Sequence, residues 1–395
     1  MKYRKLVFTV LLSATMLMFS SCNEENLTND VNVTKSSEEI LPAPCKSALV
    51  EENGVLVEQN YAPTQEELMA AEMTKADQKY IIPVVFHVFG KNQGSGVLNT
   101  ARIEKVLKWI NNDYHNVVNA GDPQTFKSIF ESRKPFISTL NVEFKLARYD
   151  EEGLPIKKGQ KYHKDGKADS DGAAVLMYST SHPANKAGLG NGNNTLMSKI
   201  SWDNTKYYNI YITKILYADG DIYQSGVSWL PDSRMTKAGT SRTVYNGWFL
   251  PGGSYFNKDF TSIISHECGH WLGLKHPFQG GCLVGRADSD KEGDRIADTP
   301  QAFSPSKNAS YAYHGAKNCN GVVVDYGNYM NYGVYCDWTK GQVVKMTAAL
   351  NHPARKTLWT AENVEATIGE GDIVDPNAVI DFDTRVKNLD DAISK

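Results

Sequence analysis

The residues with the clearest capacity for chemistry lie between positions 266 and 276. His266 and His270 are four residues apart, Glu267 follows the first, and His276 comes six residues after the second. Residues four apart project from nearly the same face of a helix, so both imidazoles can reach one ion. Three imidazoles in this pattern are typical of a zinc site whose fourth tetrahedral position is left open for water. The spacing therefore predicts a zinc centre with an exchangeable position.

Glu267 adds a carboxylate to this predicted centre. Its place next to the first ligand puts it beside the open position, where it can accept a proton from zinc-bound water and later deliver one to a leaving amine. Bound zinc lowers the pKa of water to roughly 7 and polarises a carbonyl group. The residues together predict amide hydrolysis at neutral pH.

The helix that carries these ligands is predicted to be buried on its opposite face. Ile264, Cys268, Trp271 and Leu272 cluster there, as in an amphipathic helix packed on a core. Gly273 can take a left-handed conformation at little cost, so it can end the helix and turn His276 towards the metal. Two other interpretations stay open, namely a buried helix whose histidines only satisfy hydrogen bonds and a metal-binding module without activity.

The elements that must position this helix are predicted from apolar patterns elsewhere in the chain. Residues 80–89 read as a buried strand, in which His87 is expected to be a core histidine, and residues 100–117 as a long amphipathic helix packed on it. Further strands are expected over 140–147 and 208–216, whereas 153–204 reads as long irregular loop. The pattern predicts an α+β fold with a mixed sheet, a backing helix and the zinc-binding helix.

Composition limits the possible classes of protein. A chain of 395 residues with 41% hydrophobic content can bury a sizeable core, which excludes a disordered or fibrous protein. The net charge of -3 gives no basic surface, so no nucleic-acid partner is expected.

The chain begins like an exported protein. Basic residues precede an apolar run over 6–19 and the small residues before Cys22. The tetrad ending at Cys22 resembles a bacterial lipobox, and the acidic residues at 24–25 resemble the surface-export tag of Bacteroidetes lipoproteins. The alternative is an ordinary signal peptide with an incidental cysteine. We expect a lipoprotein signal peptide over 1–21, a tether and pro-segment over 22–78, a catalytic domain over 79–360 and a C-terminal tail over 361–395.

The zinc-helix motif is that of the metzincins, and Asn328-Tyr329-Met330-Asn331-Tyr332 resembles their Met-turn. The resemblance implies that Met330 forms a hydrophobic floor beneath the metal. It also implies that Tyr332 can stabilise a tetrahedral oxyanion, a role that suits a phenol donor.

From about Tyr80 to Leu350 the chain resembles the pappalysins and the related cytophagalysins, and with the leader it resembles a Bacteroidetes zinc-dependent metalloproteinase lipoprotein. The matching segments are the strand over 80–89, the zinc helix, GDRIADTP over 293–300, the Met-turn and TKGQVVKM over 339–346. The family implies a two-lobed α+β fold with zinc in the cleft between the lobes, and cleavage of peptide bonds inside proteins. Some pappalysins prefer a basic residue after the cut, but this chain has Val334 and Tyr335 where the acidic group would stand.

The same resemblance implies a disulfide between Cys282 and Cys319. Cys336 then stays free or pairs elsewhere, and Cys268 is expected to be an inert buried thiol. Cys45, in the predicted pro-segment, could place a thiolate on the metal and keep a precursor latent, or it could be a linker cysteine.

A calcium site is also implied by the resemblance. Asp294, Asp298 and Thr299 are its candidate ligands, and the alternative is that these are ordinary solvated acids.

The sequence predicts a zinc-dependent endopeptidase that acts on proteins or peptides and is exported and lipid-anchored to the bacterial outer membrane, facing the cell surface. Two rivals remain: a surface binding lipoprotein whose zinc site is structural or vestigial, and an amidase that acts on cell-wall peptides. An intact Glu267 and an uninterrupted third ligand favour the endopeptidase over the binding protein.

Overall fold

The computed structural model describes twelve stretches of the chain. They are residues 49–52, 55–74, 78–90, 98–115, 137–163, 165–190, 194–250, 263–285, 293–303, 317–324, 327–331 and 337–369. All of them fall in the compact unit Leu41–Lys395, and the second unit, Met1–Ile40, lies outside the described residues. Within the described residues, no helix combines the length and the apolar character needed to cross a bilayer.

Twelve strands and eight α-helices make up the described part of the fold. The strands are β1 Leu49–Glu52, β2 Val55–Glu58, β3 Tyr80–Phe89, β4 Ile137–Ser138, β5 Val142–Leu146, β6 Lys161–Tyr162, β7 Gly166–Ser170, β8 Ala173–Tyr178, β9 Tyr208–Thr213, β10 Gly226–Ser228, β11 Thr243–Asn246 and β12 Trp338–Thr339. The helices are α1 Gln65–Glu72, α2 Thr100–Tyr114, α3 Ala184–Ala187, α4 Asn194–Ile200, α5 Ser233–Lys237, α6 Ile263–Trp271, α7 Lys340–Asn351 and α8 Ala361–Thr367, with a 3-10 turn at Gly247–Phe249.

Strand β3 is the centre of an eight-stranded mixed sheet. It pairs in parallel with β9 on one edge and with β5 and then β8 on the other. Beyond β9 the sheet continues with parallel β11 and antiparallel β10, and beyond β8 with antiparallel β7 and β6. The predicted mixed sheet is confirmed, and β10 ends it on the side of α6, the helix that carries His266 and His270.

Every residue of β3 is buried because both faces of the sheet are covered. Side chains alternate across a strand. Val84 and Phe86 therefore join the core beneath α2 and α6, whereas Val85 and Phe89 join a second core on the other face. His87 also lies on that second face, where its ring nitrogens lie 2.9 Å from the Tyr178 hydroxyl and 2.8 Å from Asn209 Oδ1.

Helix α2 is the predicted backing helix. Asn99 caps its first turn, and its buried stripe includes Ile103, Leu107 and Ile110. The helix ends at Tyr114, and 116–117 of the predicted span lie outside the described residues.

The prediction of a long irregular loop over 153–204 is wrong. This stretch contains β6, β7 and β8 as well as α3 and α4. Glycines at 159 and 172 have left-handed backbone conformations in the turns of this stretch, and such residues give the segment the composition of a loop. The apolar run of β8 pairs directly with β3, which makes it a structural part of the sheet.

Both ends of the described chain pack on this fold. Residues 59–74 belong to the predicted pro-segment, yet Tyr61 and Ala71 are buried and α1 packs against α7. At the other end, α8 packs on β3 through contacts of Val364 and Ile368 with Ile81.

Candidate metal centre

Helix α6 carries the first two predicted ligands and ends in the turn that the sequence implied. Gly273 has a φ of +89°. Its N–H bonds to the carbonyl of His270 at 2.8 Å, and the N–H of Leu274 bonds to that of Gly269 at 3.0 Å. These two bonds define a Schellman motif, which satisfies the last carbonyls of the helix and reverses the chain. The reversal brings His276 back to the helix.

The structure brings the three predicted imidazoles together. Nε2 of His266 lies 3.2 Å from Nε2 of His270, and Nε2 of His276 lies 3.1 Å from each of them. All three side chains are buried. Among the described residues, this is the group of His, Cys, Asp and Glu side chains whose ligand atoms are arranged to hold a metal ion.

Backbone carbonyls fix the orientation of two of these rings. His266 Nδ1 donates to the carbonyl of Tyr329 at 2.6 Å, and His270 Nδ1 donates to that of Leu274 at 2.8 Å. Metal-bound histidines commonly donate their second N–H to a carbonyl in this way, because the bond sets the tautomer and raises the basicity of the ligand nitrogen.

The donor set fits zinc. Because the Nδ1 atoms of His266 and His270 carry the protons, their Nε2 lone pairs face each other across 3.2 Å. Such a contact is repulsive unless a cation lies between the nitrogens. Tetrahedral zinc with bonds of about 2.0–2.1 Å separates nitrogen ligands by roughly 3.3 Å, close to the observed spacing.

Burial keeps these rings in the neutral form that binds metal. It lowers the pKa of His270 to about 4 and, with the neighbouring imidazoles, lowers the pKa values of His266 and His276 well below the usual range.

Glu267 lies against the last strand of the sheet. Its side chain is fully buried. A β-carbon at Gly226, the first residue of β10, would stand only 2.5 Å from Glu267 Oε1 and 2.7 Å from its Cγ and Cδ. The absence of a side chain at position 226 therefore makes room for the carboxylate. Gly226 was not identified from the sequence, because no motif of candidate site residues lies near it in the chain.

The predicted floor residue packs on the ligand helix. Met330 is fully buried, and a β-carbon at Gly269 would stand 2.5 Å from its sulfur. Met330 therefore fits closely beneath the helix segment between the two ligands. Tyr332, the predicted oxyanion stabiliser, lies outside the described residues.

A buried carboxylate behind α6 was also missed from the sequence. Asp113, on α2, accepts a hydrogen bond of 2.5 Å from the hydroxyl of Ser265, and the Tyr329 hydroxyl lies 3.3 Å from its other oxygen. Ser265 directly precedes His266, and Tyr329 supplies the carbonyl that orients its ring. Asp113 thus ties the backing helix to both elements that flank the first ligand.

The candidate calcium ligands make their contacts with protein groups. Thr299 donates to Asp294 Oδ2 at 2.6 Å, and the N–H of Ile296 donates to its Oδ1. Asp298 accepts from the hydroxyl of Thr339 at 2.7 Å and from the N–H of Gly341 at 2.9 Å, both at the start of α7. Burial raises the pKa of the Asp294 carboxyl above its usual range. Asp298 acts as a helix cap in this arrangement, and calcium binding stays a prediction.

The described cysteines have clear roles. Cys282 and Cys319 form a disulfide, as the family resemblance implied. Cys268 is a free, fully buried thiol, and burial raises its pKa to about 12, so it is unreactive. The remaining cysteines named above, at positions 22, 45 and 336, lie outside the described residues, as do Val334 and Tyr335.

The mixed sheet and the cluster of three histidines agree with what the metzincin resemblance implied. Residues 191–351 match the Peptidase_M43 family model, described as pregnancy-associated plasma protein-A. The predicted resemblance to the pappalysins is thereby confirmed, over the segment that contains the zinc helix and the Met-turn.

Fungal extracellular metalloproteases are similar to parts of this chain. An extracellular metalloprotease of Colletotrichum graminicola is 38% identical over 105 residues, which cover 26% of this chain and 35% of that protein. One from Sordaria macrospora is 30% identical over 194 residues, 46% of this chain and 61% of that protein. The chain thus spans about a third to three fifths of these relatives.

Solved structures of mirolysin from Tannerella forsythia share the fold. Mature mirolysin in complex with a cleaved peptide has a TM-score of 0.53 and 22% identity, over 73% of this chain and 98% of that one. A promirolysin mutant gives a TM-score of 0.54 and 22% identity, over 76% and 90%. The predicted metzincin-like fold class is confirmed by this likeness.

Proposed function

We propose that this protein is a zinc-dependent endopeptidase. The observation that carries the proposal is the triangle of Nε2 atoms of His266, His270 and His276, 3.1–3.2 Å apart and buried. Glu267 supports the proposal, because it is the residue after the first ligand and its carboxylate lies against Gly226 at the edge of the sheet. The match to a peptidase family over 191–351 supports the same activity.

Peptide substrates are expected to lie along β10. Among the described strands, β10 pairs only with β11, so its other edge can accept an extended chain. Main-chain hydrogen bonds to a strand edge give affinity for a peptide of any sequence. The scissile bond is then expected near Gly226, where the strand contacts Glu267. The mirolysin solved with a cleaved peptide supports peptides as the substrate class.

Different residues of this chain have different roles in the proposed hydrolysis. Zinc, when bound by the three imidazoles, would polarise water and the scissile carbonyl. Glu267 accepts the proton of the attacking water and returns it to the leaving amine, a role that contributes about 10²–10⁴ in rate. We assign to Tyr332 a hydrogen bond to the oxyanion, on the strength of the Met-turn resemblance.

We further propose that the protein is exported and anchored by lipid at Cys22 to the outer membrane. The leader pattern over 1–21 supports export. The names of the fungal relatives, which are extracellular metalloproteases, agree with it.

The test compares the full chain with its Glu267→Gln variant, before and after limited proteolysis that would relieve latency through Cys45. Both proteins are given a whole-proteome peptide library and, separately, purified cell-wall peptides. We expect chelator-sensitive cleavage of the library, reduced at least about 100-fold in the variant, with one zinc per chain in both.

The rivals predict different results. A binding protein with a structural zinc site would hold zinc and cleave neither substrate. A cell-wall amidase would cleave the cell-wall peptides and leave the library intact. Absence of stoichiometric zinc from the purified protein would refute the metal centre itself.

A further inference from the structure

Residues 59–61, which we call the N-terminal strap, pack against the turn that leads from His270 to His276. Gln59 and Tyr61 are 5% and 6% exposed, although both belong to the predicted pro-segment. The strap contacts two separate parts of the site: the chain that follows β10, and the turn that follows α6.

Gln59 holds the end of the edge strand. Its Nε2 donates to the carbonyl of Leu230 at 2.9 Å, and the N–H of Leu230 donates to its Oε1 at 2.6 Å. One carboxamide thus makes the pair of hydrogen bonds that a neighbouring strand would make. Because Leu230 comes two residues after β10, Gln59 fixes where the edge strand leaves the site.

Tyr61 and Asn60 hold the turn after α6. The Tyr61 ring lies so close to Gly273 that a β-carbon there would stand 2.5 Å from it. The same ring packs on Ala349 of α7, and Lys275 Nζ donates to Asn60 Oδ1 at 3.1 Å. The strap therefore covers residues 273–275.

This turn determines the position of two ligands. His276 is the next residue, and the carbonyl of Leu274 orients the ring of His270. Arg355 provides a second tie from the α7 side, since its guanidinium donates to the carbonyls of Trp271 at 3.3 Å and Trp229 at 3.4 Å. The chain that follows β10 and the end of α6 with its turn are therefore joined at two places, by the strap and by Arg355.

We propose that the strap is a positioning element of the metal centre, and that the Tyr61 ring holds the Gly273 turn so that His276 stays in the ligand set. The inference rests on the proposed zinc site. Tyr61 acts through the turn and does not itself reach the metal. Its hydroxyl is buried without a hydrogen-bond partner among the described residues, so the flat ring carries the effect.

The experiment measures zinc release from the full-length, zinc-loaded chain into excess chromogenic chelator. We expect Tyr61→Ala to release zinc about 10–100-fold faster, because removal of groups that orient metal ligands typically weakens metal affinity by that factor. Tyr61→Phe keeps the ring and should release zinc at the parental rate. Tyr162→Ala is the matched control, because Tyr162 is 8% exposed and packs in the second core, against Trp202.

The outcomes separate the strap from the zinc site itself. Parental chain without one equivalent of zinc refutes the proposed function. If the parental chain holds zinc, two results refute the role of the strap without affecting the proposed function. One is release from Tyr61→Ala at the parental rate. The other is release from Tyr162→Ala as fast as from Tyr61→Ala. If Tyr61→Ala does not fold, Tyr61→Leu replaces it, because leucine keeps apolar volume but lacks the flat ring. Tyr61→Leu should then release zinc faster than Tyr61→Phe, and equal rates would refute the role of the strap.

Discussion

Replacement of Gly226 by alanine tests whether the close approach of β10 to Glu267 matters for catalysis. The new methyl group would stand 2.5 Å from Oε1, whereas ordinary contact begins at about 3.4 Å. The carboxylate or the strand must therefore move by roughly 0.9 Å, the difference between these distances. Displacement of a catalytic group by about 1 Å costs on the order of 100-fold in rate, which corresponds to about 2.7 kcal/mol in the activation barrier.

The assay follows cleavage of a fluorogenic peptide and zinc content in parallel. We expect Gly226→Ala to lose about 100-fold in kcat/KM while it keeps one zinc per chain, since none of the three imidazoles is changed. Gly166→Ala is the matched control, because its β-carbon would stand 2.7 Å from the Tyr178 ring, on a strand near the opposite end of the sheet. It should destabilise the fold but leave kcat/KM near the parental value.

Two results would refute the reasoning. Parental activity in Gly226→Ala would mean that the carboxylate does not need its observed position. Loss of zinc together with activity would mean that the glycine supports the metal ligands and not Glu267.

Two further perturbations concern stability. His87 is neutral in the fold, because burial lowers its pKa to about 3 from the usual 6.5; the unfolded chain binds the extra proton between these values, so stability must fall as the pH drops below 6.5. The free energy of unfolding then decreases by about 1.4 kcal/mol for each pH unit. Thermal unfolding measured at pH 7.5 and 5.5 should show a smaller decrease in stability for His87→Gln than for the parental chain. Equal decreases would contradict the conclusion that His87 is neutral in the folded protein. Replacement of both Cys282 and Cys319 by serine opens a loop of 37 residues and should lower the free energy of unfolding by about 4 kcal/mol without loss of zinc. Denaturant titration measures the stability and metal analysis measures the zinc. An unchanged denaturant midpoint would show that other contacts restrain the loop.

The ligand set could be read from the sequence because its geometry is local. His266 and His270 are placed by one helix, and Gly273 ends that helix through bonds within a few residues. The buried strand β3 was equally evident, since its residues are apolar apart from His87 and many are β-branched. Such features depend on neighbours along the chain, and a single sequence records them directly.

The parts that were missed depend on contacts between distant residues. Asp113 lies 152 residues before its partner Ser265, and Gln59 lies 171 residues before Leu230. Neither residue is unusual for its segment, and only the tertiary fold gives it a buried partner. The strands over 161–178 were missed for a related reason, since β8 is held in the sheet by pairing with β3, which is distant in the chain.

The position of β3 also has a consequence for how the chain reaches its native state. This very apolar strand precedes all its partners in the chain, and Asn209, which bonds to its His87, comes 122 residues later. Pairing over such separations makes folding slow, and partly folded chains with uncovered strand edges tend to aggregate. Refolding should therefore succeed best at low protein concentration, because partly folded chains then rarely associate before β9 pairs with β3.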